Sequence, residues 1–88
     1  MSADCIFCRI AAGEIPAQVV AEGERWLAFR DAQPQAPVHL LVIPRTHVES
    51  IATLEEDGLG AVLLRAAAAV AREAGLESDG YRVVTNVG

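Results

Sequence analysis

The run Ala36-Pro37-Val38-His39-Leu40-Leu41-Val42-Ile43-Pro44-Arg45-Thr46-His47 decides the fold. Its middle, Val38 to Ile43, is apolar on both faces, as a strand at the centre of a sheet must be. Pro44 ends the strand, because proline donates no ladder hydrogen bond. Alternation puts His39, Leu41 and Ile43 on one face. His39 and His47 are the chain's two histidines, and they flank this strand. An imidazole in an apolar strand needs a hydrogen-bond partner, a metal or a ligand, or it costs stability. One stretch therefore predicts both a sheet centre and a site.

Upstream of it, Cys5 to Ala12 reads as a short helix, with Asp4 as its N-cap and Gly13 as its left-handed stop. Gln18 to Ala21 is extended, Glu22 to Arg25 is a turn, and Trp26 to Arg30 is a second strand, so the two pair as a hairpin. Leu27, Phe29 and Asp31 share one face. Asp31 to Pro37, with two prolines, is a loop. Downstream, Thr53-Leu54-Glu55-Glu56 is a capping box that predicts a long helix from there to about Ala74, with acidic residues in its first turn. Leu59, Val62, Leu63, Ala66 and Val70 form its apolar stripe, and Gly75 stops it. Tyr81 to Val87 alternates as a fourth strand after the Asp79-Gly80 turn. Helix, hairpin, strand, helix, strand in that order is an α+β antiparallel meander.

The 88 residues make one small domain. A chain of this size buries only about 60% of its unfolded surface, so a metal, a dimer partner or more chain is expected to help. The net charge is -5 and there is no basic run, which argues against a nucleic acid polymer as partner. No stretch approaches the roughly 18 apolar residues of a membrane span, and the N-terminus does not read as a signal peptide, so the expected location is cytoplasmic. In a reducing compartment the Cys5-x-x-Cys8 pair reads as a metal site or a redox pair rather than a disulfide. The intervening Ile6-Phe7 and the lack of a preceding strand argue against a thioredoxin-like role.

Four signatures stand in order: Cys5-Ile-Phe-Cys8-Arg-Ile10-x-x-Gly13-Glu14-Ile15-Pro16; Ala28-Phe29-Arg30-Asp31-x-x-Pro34-x-Ala36-Pro37; His39-x-Leu41-Val42-Ile43-Pro44-Arg45-x-His47; and Gly80-Tyr81-Arg82-Val83-Val84-x-Asn86-x-Gly88. Together they closely resemble the histidine triad (HIT) family, in its Hint-like branch. The resemblance spans nearly the whole chain and implies a HIT-like fold, with a meander sheet, one long helix and a short N-terminal helix. It also implies a homodimer whose interface includes the long helix, around Ala66 to Ala69. Members of the family carry a His-x-His-x-His run on an interior strand soon after the equivalent of Gly88, and its middle histidine is the nucleophile. These 88 residues hold no such run. The expectation is a single HIT-like domain over 1–88 that lacks the catalytic strand, with the residue performing the chemistry beyond Gly88.

The resemblance implies a purine nucleotide or nucleotide conjugate as ligand, and hydrolysis or nucleotidyl transfer at its α-phosphate. Should the chain end at Gly88, the reading becomes a non-catalytic nucleotide- or zinc-binding module. Asp31 matches the residue that holds the ribose diol; on its own it equally suits an Asp that caps its loop. Phe7, Ile10 and Phe29 would form an apolar slot for the base, or simply core. His39 would support the catalytic histidine or meet the phosphate, or be a satisfied core histidine. Asn86 would lie near the phosphate and leaving group, or be a strand-end turn residue. Cys5, Cys8 and His47 supply three of the four ligands of a structural zinc site, with the fourth from the absent run; the alternative is two buried thiols in a helix. The chemistry itself requires no cofactor.

Overall fold

The computed structural model describes residues 5–48, 50–54 and 58–86. Strands β1 (Val19–Glu22), β2 (Trp26–Arg30) and β3 (Leu40–Pro44) form an antiparallel meander in the order β1-β2-β3. Helices α1 (Ile6–Ala11) and α2 (Leu59–Glu73) complete the α+β fold. The hairpin is as expected, except that a bulge between Val19 and Ala21 shifts the register. In the β2–β3 ladder Leu27 faces Ile43 and Phe29 faces Leu41.

That register sorts the sheet into two faces. Leu27, Phe29 and Ile43 are buried together on one, with Ile10 and Ala11 of α1, Ala17 and Leu41 packed against them. The opposite face carries Ala28, which is fully buried and opposes Val42. Helix α2 packs against β2 and β3 with Leu59, Ala66, Val70 and Ala71 buried. A methyl-sized side chain at Ala28 lets a helix lined with alanine come close to the sheet. Arg45 ties the hairpin turn to the end of β3: its Nε donates to the Gly23 carbonyl at 3.1 Å and its Nη2 pairs with Glu22 at 2.6 Å.

Both helices end as their glycines dictate. Gly13 and Gly75 take positive φ of 80° and 77°. The Glu14 and Leu76 amides then reach back to the Arg9 and Ala71 carbonyls, while the Gly13 and Gly75 amides donate to Ile10 and Arg72. These are paired Schellman bonds, which satisfy the last-turn carbonyls.

Four expectations are corrected. The strand expected at the sheet's centre, β3, stands at its edge among the described residues, and β2 is central; β3 is apolar on both faces because α1 and α2 contact it from the two sides of the sheet. The long helix does not start from the capping box: Thr53 closes a 3-10 turn, Ile51–Thr53, and α2 begins at Leu59 after Gly58, whose φ of 83° no helix interior adopts. Its first turn accordingly carries no acidic residue. Glu55 and Glu56 of the proposed box, and the Asp4 cap, lie outside the described residues. Strand β3 starts at Leu40, so His39 stands just ahead of it. The fourth strand does not form over 81–86, and Val87 lies outside the described residues. Tyr81, Val83 and Val84 are 47–62% exposed. A strand exists by pairing, and among the described residues the sheet consists of β1, β2 and β3, with the 81–86 segment joined to neither edge.

Candidate functional site

Strand β2 delivers Phe29 into the sheet face under α1 and Asp31 just past its end. Helix α1 places the Phe7 ring 6.4 Å from Phe29, tilted by 41°. Phe29 is 4% exposed, so it is core first; Phe7 is 43% exposed and forms the open wall. Ile10 is half-buried against Phe29 and its neighbours. Phe29 and Ile10 thus make an apolar floor beside an accessible aromatic ring, Phe7.

Asp31 and His39 close the loop between β2 and β3. The Asp31 amide donates to the His39 carbonyl at 3.0 Å, which continues the ladder by one rung. Asp31 Oδ1 accepts the Gln33 amide at 2.9 Å, an Asx turn over its own loop. Asp31 Oδ2 lies 3.4 Å from His39 Nε2, and both side chains are half-buried. On the far side of the ring, His39 Nδ1 accepts the Gln35 amide at 3.0 Å. A backbone N–H can only donate, so Nδ1 is the unprotonated nitrogen and the neutral ring carries its proton on Nε2, toward the carboxylate. The loop-capping role of Asp31 is therefore real. It occupies Oδ1, and a carboxylate oxygen has room for a second donor. The Gln33 and Gln35 amides were missed in the sequence; the Asp31-x-Gln33-Pro34 spacing of an Asx turn was the available signal for the first.

Asn86 does not join this group. It is exposed on the unpaired 81–86 segment. A groove of about 270 Å³ lies elsewhere, between the sheet and the end of α2, lined by Val38, Leu40 and Val70 with Arg30 and Glu73. None of the candidate site residues lines it.

A second cluster sits at the start of α1. Cys5, Cys8 and His47 bring one ligand atom each within 4.8 Å of one another. Cys8 is buried and its Sγ lies 3.1 Å from His47 Nδ1, an atom pair that shares one proton. No disulfide joins the cysteines. The Cys8 backbone amide beside Cys5 holds that thiol below its usual range, against the opposing effect of burial. Two thiols and an imidazole are the donors zinc takes, and ligand bonds of about 2.0–2.3 Å put donors of a tetrahedral centre roughly 3.5 Å apart. The donor set fits such an ion, which Cys5, Cys8 and His47 could hold.

A three-stranded meander with a Cys-x-x-Cys helix on one face and a long helix on the other defines an α+β domain of histidine-triad architecture. The HIT domain profile matches residues 12–88, and the chain belongs to the HIT family. A histidine triad protein from Clostridium difficile superposes with a TM-score of 0.94 at 39% identity, covering 100% of this chain and 78% of that one. A HIT family hydrolase from Legionella pneumophila Philadelphia 1 gives 0.87 at 49% identity, over 92% of this chain and 74% of that one. In sequence, the chain is 48% identical over 87 residues to the 14 kDa zinc-binding protein of Zea mays, covering 94% of this chain and 67% of that protein. It is also 48% identical over 90 residues to a HIT-like protein of Synechococcus elongatus, covering 100% of this chain and 78% of that protein. Among the described residues, no helix is long and apolar enough to cross a membrane.

Proposed function

We propose that these residues are the nucleotide-binding half of a HIT family hydrolase that acts at the α-phosphate of a purine nucleoside phosphoramidate or related conjugate. The observation that carries this reading is the grouping of Phe7, Phe29, Asp31 and His39 at one end of one sheet face. The base would enter the Phe7–Phe29 slot above Ile10, and the ribose diol would donate to Asp31. Being acceptor-only, the carboxylate suits two hydroxyls where an amine does not. The solved hydrolase from Legionella pneumophila supports the reaction class.

Neither histidine here suits the nucleophile. The neutral His39 ring has its Nδ1 lone pair taken by Gln35, and His47 is engaged with Cys8. In the proposed reaction the middle histidine of a His-x-His-x-His run attacks phosphorus. The P–N bond breaks, the amine leaves with a proton, and water then cleaves the nucleotidyl-histidine. His39 would support that histidine from beside the phosphate, and Asn86 would approach the leaving group once its segment gains a strand partner. Residues 1–88 would then supply the nucleotide pocket, and the family's catalytic strand would complete the domain. Zinc at Cys5, Cys8 and His47 would be structural, holding the start of α1 against the segment after β3. A reducing, cytoplasmic setting would keep both thiols ready for it. We further propose a homodimer through the outward face of α2. Leu64 there is 66% exposed, whereas Ala66 is already buried within the protomer.

The test is ammonia release from adenosine 5′-phosphoramidate by the dimeric protein whose coding sequence is read through past Gly88. Turnover, with a His-x-His-x-His run downstream, is the expected result. AMP binding without turnover would favour instead a non-catalytic nucleotide- or zinc-binding module, which the count of two histidines in the 88 residues also allows.

A further inference from the structure

The metal cluster and the base slot meet on one short helix. Helix α1 has six residues, well below the roughly 12–15 that an isolated helix needs in water. Its place is therefore set by what ties it to the sheet. Ile10 and Ala11 pack against the Leu27, Phe29 and Ile43 cluster, and Cys8 is buried against His47. Phe7 lies between the two cysteines in the same turn, half-exposed. His47 follows β3, the strand paired to β2, and β2 carries Phe29. The three donors thus link the element that bears Phe7 to the segment that follows the sheet bearing Phe29.

We infer that metal binding at Cys5, Cys8 and His47 sets the position of Phe7 over Phe29, so that zinc and a purine nucleotide bind cooperatively. The inference rests on the purine-site reading above. A base that stacks on Phe7 must order α1. When the ion has already ordered it, the base no longer bears that cost. Linkage makes the effect reciprocal: the factor by which zinc tightens nucleotide binding equals the factor by which nucleotide tightens zinc binding. No contact between ion and nucleotide is required.

The experiment titrates AMP into the protein in its zinc-loaded and chelator-stripped states, and titrates zinc with and without saturating AMP. The expected result is AMP binding at least about fivefold tighter in the loaded state, with the same factor in the zinc arm. Phe7→Ala keeps all three donors, so it is expected to bind zinc as the wild type does while the factor falls to about one. Equal AMP affinity in two folded states overturns the inference and leaves the purine reading standing. Absence of AMP binding in both states overturns the purine reading itself. If circular dichroism shows the stripped protein unfolded, the zinc arm decides. With AMP held at the same multiple of its Kd for each protein, equal factors in wild type and Phe7→Ala overturn the inference, and a smaller factor in Phe7→Ala supports it.

Discussion

Phe29→Ala is expected to remove about 3–5 kcal/mol of folding stability, the usual cost of truncating a buried phenylalanine. The ring is 4% exposed and sits with Leu27 and Ile43 in the cluster that α1 covers. The residues buried with it have little freedom to fill the space. Leu27 and Ile43 are fixed by the β2–β3 ladder, and Ile10 is held in a helix that ends one residue later in its own cap. A domain of this size has a total stability of roughly 5–10 kcal/mol, so the variant lies near the edge of folding. Urea unfolding of the two proteins measures the difference. A loss below about 1.5 kcal/mol would mean that the ring is not core. Phe29→Leu separates the two duties of the residue: it keeps most of the packing and removes the aromatic face that a base would meet.

The second large effect is expected from zinc. An ion that binds the folded chain and not the unfolded one, held at a hundred times its Kd, stabilises by about 2.7 kcal/mol. For a domain of this length that is a rise in Tm of roughly 10–20 °C. Cys8→Ser is expected to abolish the rise, because the serine hydroxyl is a poor zinc ligand and Cys8 contributes the buried donor, 3.1 Å from His47. Differential scanning calorimetry with and without zinc decides it. An identical Tm in both conditions would leave the cluster as two thiols and an imidazole that merely share a proton.

Much of this was legible in the sequence, for identifiable reasons. The hairpin, the third strand and both helix stops follow from local chemistry: alternation in Trp26–Arg30, proline at 44, and glycines at 13 and 75 that reach positive φ without strain. The place of that third strand, at the sheet's edge among the described residues and not at its centre, does not. The metal cluster was legible because Cys-x-x-Cys spacing is a property of one helical turn, and His47 follows the same strand that His39 precedes. The misses are places where a local signal lost to its surroundings. Thr53 and Glu56 have capping-box spacing, but left-handed Gly58 intervenes, and the buried Leu59 anchors the first turn of α2 instead. Tyr81 to Asn86 alternates like a strand, yet a strand is a relation between two chains of backbone, and alternation cannot supply the second. The tautomer of His39 was not readable either. It depends on the Gln35 amide, which the loop brings to the ring only after Asp31 and His39 have closed it.

The most direct test of the proposed nucleotide site is an equilibrium titration of AMP and of 2′,3′-dideoxy-AMP into the wild-type protein and Asp31→Ala. Hydrogen bonds to a charged group are worth about 1.5–3 kcal/mol, so the wild type is expected to prefer AMP by roughly 10- to 100-fold. In Asp31→Ala that preference is expected to fall to about one, with dideoxy-AMP binding nearly unchanged. Equal affinity of the wild-type protein for the two nucleotides would contradict the account.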